Sequence, residues 1–147
     1  MRSIAFVGTV STADFLPAGG DVLIKVEGID VTYTVTLYRP IGPKELELIQ
    51  KNGFKKWPPR LPGQPIFYPV TNEKYAIEIT TKWNVPADGV GYVTRFEVKK
   101  EFMDNYQVHR VGASHHTEWW IPADDLDQLN ENIIGLIELI GEYKMLN

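Results

Sequence analysis

Apolar and polar positions alternate from Val22 to Glu27 and again from Val31 to Tyr38, with Gly28-Ile29-Asp30 between the two runs. Period-two alternation marks a half-buried strand, so the pair predicts a hairpin. Val31, Tyr33, Val35 and Leu37 share one face of the second run, and Thr32, Thr34, Thr36 and Tyr38 share the other. Pro43 suits a first helical turn, Lys44 to Lys51 continues it, and Asn52-Gly53 ends it. Residues 57 to 65 hold four of the chain's ten prolines and predict a semi-rigid surface loop. A short strand resumes at Ile66 to Val70. Thr71 or Asn72 then caps a helix running to about Trp83, with Tyr75, Ala76, Ile79 and Trp83 on its buried side.

Farther along, Tyr92 to Val98 alternates again as a strand, and residues 99 to 106 suggest a helical turn around Phe102 and Met103. Strands are expected near 107 to 112 and 116 to 121. Asp124 and Asp125 favour the start of a last helix with Leu126, Leu129 and Ile133 buried, and Ile134 to Tyr143 closes as a strand. Residues 3 to 8 read as a short strand and residues 15 to 21 as a loop, so that residues 1 to 20 form a peripheral extension. The pattern is α+β: one domain over residues 1–147, of twisted antiparallel sheet decorated by short helices.

Composition narrows the chemistry. A chain of 147 residues can bury a core without staples, and its net charge of -4 argues against general nucleic-acid binding. Cysteine is absent, which removes disulfides, thiolate metal sites and a cysteine nucleophile. Nothing approaches a membrane span, and a soluble, cytoplasmic protein is expected. Lys55, Lys56 and Arg60 form a small basic cluster around Trp57.

Two charged residues stand out. Arg39 falls, counting by twos from Val31, on the apolar face of its strand, where a guanidinium needs either an ion-pair partner or an anionic ligand. Glu118, inside HHTEWWIP, shares a strand face with His116 and Trp120, a setting that can shift a carboxylate's pKa in either direction. His115, His116, Glu118 and His109 invite a metal reading. Adjacent strand residues face opposite ways, however, and no H-E-x-x-H pattern is present, so no metal is expected.

TLYRP (Thr36 to Pro40), IFYPVTNEKYA (Ile66 to Ala76) and HHTEWWIP give an arginine-bearing strand, a strand entering a helix, and a late strand with glutamate before proline. In this order the chain resembles the ADP-ribosyltransferase fold over roughly residues 36 to 143. Its LYRP, QPIFYPV, GYVTRFEV and glutamate-to-WIPA phrases resemble a small bacterial family labelled ADP-ribosylation/crystallin J1. The resemblance implies NAD as substrate. Arg39, Tyr38 and Tyr68 would bind the nucleotide, while Glu118, assisted by His116, would stabilise the cationic sugar as nicotinamide departs. The middle motif reads FYPV where those transferases carry Ser-Thr-Ser, and His116 stands where arginine-modifying members carry Glu or Gln. A protein acceptor other than arginine is one expectation. The alternative is a non-catalytic binding module using the same cleft or an aromatic surface of Trp57, Trp119 and Trp120.

Overall fold

The computed structural model describes residues 22–27 and 30–146, with side chains from residue 31 onward. The expectations for residues 1 to 21 and for the turn at Gly28-Ile29 lie outside the described residues. Four long strands form one antiparallel sheet in the order β1 (Val22–Glu27), β2 (Asp30–Ile41), β4 (Val90–Lys99) and β8 (Ile133–Lys144). The predicted hairpin is the β1–β2 pair, in which Val22 faces Val35 and Val26 faces Val31.

Beyond the end of β1, the edge of β2 continues into a second set of strands. Val70 bridges Tyr38 of β2 and Glu118 of β6 (Thr117–Trp119), and β6 pairs with β5 (Val108–Arg110). The short β3 (Ile66–Phe67) pairs with β7 (Ile121–Pro122). The pairs Ile66–Pro122, Phe67–Ile121 and Val70–Glu118 share one register, which sets Tyr68 opposite Trp120. The chain is therefore α+β, with twisted antiparallel sheets and short helices, as its alternation predicts.

Both faces of the sheet are covered, and this decides where each candidate residue points. Val35, Leu37 and Ile41 enter the main core with Phe96, Val98, Trp57, Phe67, Trp119 and Ile121, beneath α1 (Pro43–Lys51) and α5 (Leu126–Glu131). Tyr38, Val70 and Val93 pack on the other face against Ala76 of α2 (Glu73–Ile79). Successive strand residues point to opposite faces, so Thr34, Thr36 and Tyr38 are buried on one side while Val35 and Leu37 are buried in the main core on the other.

Asn72 caps α2, accepting the Tyr75 amide at 2.8 Å, as the sequence suggests. The helix does not continue regularly to Trp83. Thr80 turns its hydroxyl back to the Ala76 carbonyl at 2.8 Å, and a π-helical turn spans Thr80–Asn84 before α3 (Val85–Asp88). The wider turn shifts the buried stripe to Ala76, Thr80 and Val85, and Trp83 swings out to 70% exposure. Trp57 shows the reverse. Its proline-rich loop folds it into the core at 1% exposure, with Phe96 and Phe67 rings 5.1 and 5.6 Å away. A small helix, α4 (Lys100–Met103), buries Phe102 and Met103.

Candidate functional site

Arg39 follows Leu37 by two positions and therefore faces the main core. Its Nε and Nη2 donate to the two carboxylate oxygens of Glu45 at 2.7 and 3.0 Å. Glu45 sits in the first turn of α1, whose N-cap, Gly42, follows directly on the end of β2 at Ile41. The Arg39 guanidinium also lies 4.4 Å from the Phe67 ring centroid and 5.6 Å from that of Trp57. Arg39 is thus a paired, aromatic-backed charge at the β2–α1 corner.

Glu118 stands on the opposite face. The paired positions Arg95, Tyr38, Val70, Glu118 and His109 form one row across β4, β2, the Val70 bridge, β6 and β5. Cross-strand partners point to the same side. The Tyr68–Trp120 pair forms a second row beside it, with Tyr68 43% and Trp120 41% exposed. The structure therefore brings Tyr38, Tyr68 and Glu118 to one face and leaves Arg39 on the other.

Glu118 is held through both oxygens. Tyr75, one turn into α2, donates its hydroxyl to one at 3.0 Å, and the indole N–H of Trp120 donates to the other at 2.8 Å. His109 stacks flat on Trp120, with ring centroids 3.7 Å apart and planes within 8°. Among the described residues no lysine, arginine or histidine forms an ion pair with Glu118. Burial first, and the bond to Glu118 second, push the Tyr75 phenol up to about 12.

His115 and His116 do not belong to the strand. They close the turn that precedes β6, where the rule of opposite faces does not apply, and both Nε2 atoms meet the same oxygen of Glu78, at 2.7 and 2.8 Å. This corrects the expectation that the two rings diverge. Glu78 lies one turn beyond Tyr75 on α2, and its carboxyl is held below the ordinary range by the hydrogen bonds from His115 and His116. The His116 ring lies 4.7 Å from that of Tyr75.

Glu78, His115 and His116 offer three atoms at metal-ligand spacing. The Ala113 amide, however, donates to Nδ1 of His116 at 2.9 Å. That leaves the neutral ring's hydrogen on Nε2, the atom a cation would need bare. In this conformation the triad is a hydrogen-bonded clasp. It fastens the turn to α2, with help from Asn72, whose side-chain amide donates to the His115 carbonyl at 2.8 Å.

His115 and His116 thus meet Glu78, His109 stacks on Trp120, and Tyr75 and Trp120 hold Glu118, so the three histidines flank the Glu118 network without touching its carboxylate. The sequence signals Glu118, His116 and Trp120, because they sit within five residues of one another. Tyr75 and Glu78 carry no such signal. Only the packing of α2 brings them in. The aromatic surface predicted from Trp57, Trp119 and Trp120 is not formed, since Trp57 and Trp119 are 1% and 3% exposed. The exposed rings on this face are instead Tyr68 and Trp120. No helix among the described residues is long and apolar enough to cross a membrane. No protein-family model, curated protein or solved structure matches the chain.

Proposed function

We propose that the chain binds a nicotinamide nucleotide on the Glu118 face and cleaves its glycosidic bond, passing the ADP-ribosyl group to water or to a protein acceptor. The observation that carries this reading is the fixed carboxylate of Glu118, bonded by Tyr75 and Trp120 and ion-paired to no cation among the described residues. Tyr68 and the His109–Trp120 stack offer flat, exposed surface to a planar ring, whereas Tyr38, in the row of Glu118, is buried against Ala76 and offers none. As the bond between the sugar and the pyridinium nitrogen breaks, nicotinamide leaves with the electron pair and becomes neutral. The sugar carbon becomes cationic and is captured by a nucleophile that loses a proton. A preorganised carboxylate beside that carbon stabilises the developing charge more than reorganising water does.

His116 acts here as a positioning residue. Its Nδ1 accepts from Ala113 and its Nε2 meets Glu78, so the ring supports Tyr75 and leaves substrate contact to others. Arg39 has no part in this version, because Glu45 holds it on the other face. A second reading, a non-catalytic binding module on this face, is favoured by the bonds from Tyr75 and Trp120, since every donor that steadies Glu118 is supplied by the protein itself.

Calorimetry with NAD, followed by a nicotinamide-release assay on wild type and Glu118→Gln, separates the two. Catalysis predicts release that the variant lowers by about 10²–10³-fold. Binding without release supports the module. Neither binding nor release by folded protein ends the NAD reading and leaves the module with a different ligand.

A further inference from the structure

We propose that Arg60, on the proline-rich loop, binds an oxyanion, a phosphoryl or carboxylate group, on the Arg39 side of the sheet. The inference stands apart from the Glu118 face and does not depend on it.

Arg60 lies in the segment Pro58-Pro59-Arg60-Leu61-Pro62, between the buried anchor Trp57 and strand β3. Its guanidinium carbon sits 5.9 Å from the Phe67 ring centroid, and that of Arg39 sits 4.4 Å from the same centroid. Two guanidinium groups therefore share one aromatic ring, with Glu45 as the carboxylate bonded to Arg39 through both oxygens. Arg60 has no carboxylate at ion-pair distance among the described residues, and its Nε is buried with no hydrogen-bond partner among them. A buried donor on a charged group is costly to leave unmet, so the corner holds one positive charge and at least one N–H in surplus. Burial, and after it the like charge of Arg39, pull the Arg60 guanidinium below its ordinary value.

An oxyanion at the solvent-facing part of the guanidinium would cancel the surplus charge. The planar fork of arginine suits two oxygens of a phosphoryl or carboxylate group. Flanking prolines restrict the loop, so little order is lost on binding. Arg60 itself is half-buried, so part of its side chain faces solvent.

Calorimetric titration of the full chain with pyrophosphate and, separately, with succinate tests the assignment. Wild type is expected to bind at least one of the two. Arg60→Gln should weaken that binding at least about tenfold, as befits charge-assisted hydrogen bonds. Arg60→Lys keeps the charge without the fork and guards against misfolding. It should fall between the other two. Lys56→Gln, at an exposed neighbour, should change affinity less than about threefold. Preference for pyrophosphate or succinate identifies the group accepted. The proposal is overturned if neither probe binds wild type, if Arg60→Gln binds as wild type does, or if Lys56→Gln costs as much as Arg60→Gln.

Discussion

Glu45 and Glu118 are both half-buried carboxylates bonded through both oxygens, yet they stand on opposite faces of the sheet and keep different company. Glu45 takes both bonds from one guanidinium six residues earlier, so charge meets charge across a single corner of the chain. Glu118 takes one bond from a phenol and one from an indole, both neutral donors, drawn from a helix 43 residues earlier and from the next residue but one. The first arrangement closes a local turn and leaves nothing over. The second fixes a negative group in place without cancelling it, a geometry suited to meeting a cation from outside.

The sharpest way to break this comparison is to remove the partner of Glu45. Arg39→Ala leaves a carboxylate 22% exposed without its bonded counter-charge, and Arg60 remains within electrostatic range. Stripping one member from such a pair is expected to cost about 3–5 kcal/mol, and urea unfolding followed by tryptophan fluorescence measures it. The double variant Arg39→Met, Glu45→Leu should recover most of that loss, because apolar groups of similar volume fill the corner without desolvated charge. A single variant as stable as wild type would mean that the corner carries no structural weight, and Arg39 would become available for a ligand after all.

Next in size comes the bond between Tyr75 and Glu118. Tyr75→Phe removes one neutral donor and is expected to cost about 1 kcal/mol, well below the Arg39 variant. The same bond has a signature in alkali. The Tyr75 phenol is raised to about 12 in the folded protein, so it contributes stability that is complete below the ordinary phenol value of about 10 and is lost as pH climbs through 12. Ultraviolet titration should therefore show a late-ionising phenol that disappears in Tyr75→Phe and moves back toward the ordinary value in Glu118→Gln. The Tyr106 phenol is raised as well, by burial first and then by its bond to Asp125, and it serves as an internal standard that neither variant should move. A late phenol untouched by Glu118→Gln would show that the carboxylate is not where the hydroxyl points.

What the sequence discloses about these two sites follows from how far apart their parts lie. The alternation from Val31 to Tyr38 sets Arg39 on the core face, and the α+β plan follows from the strand and helix periods. The Glu118–Trp120 relation, two residues apart on one strand, is readable in the same way. The opposition of Arg39 and Glu118 is not readable, because it depends on Val70 bridging β2 and β6, a single pair in a segment with almost no regular pattern. His115 and His116 mislead for a related reason. Strand periodicity assigns them to opposite faces, but the chain is still turning there, and a turn lets neighbours converge on Glu78.

The smallest effect concerns Trp83, whose surroundings the helical period reverses. A regular helix from Asn72 would keep Trp83 on the stripe of Ala76 and Ile79 and bury it. The π-helical turn at Thr80–Asn84 adds to the rotation, so Val85 takes the inward place. Gly91 allows this turn to lie close on β4: a Cβ there would fall 2.7 Å from the Thr80 methyl group. Trp83→Ala should therefore change stability by no more than about 0.5 kcal/mol, as for an exposed residue away from any cap or ion pair. It should also leave NAD binding unchanged, since Trp83 takes no part in the Glu118 network. A loss of several kcal/mol in urea unfolding would instead restore the regular helix, with Trp83 packed on the sheet.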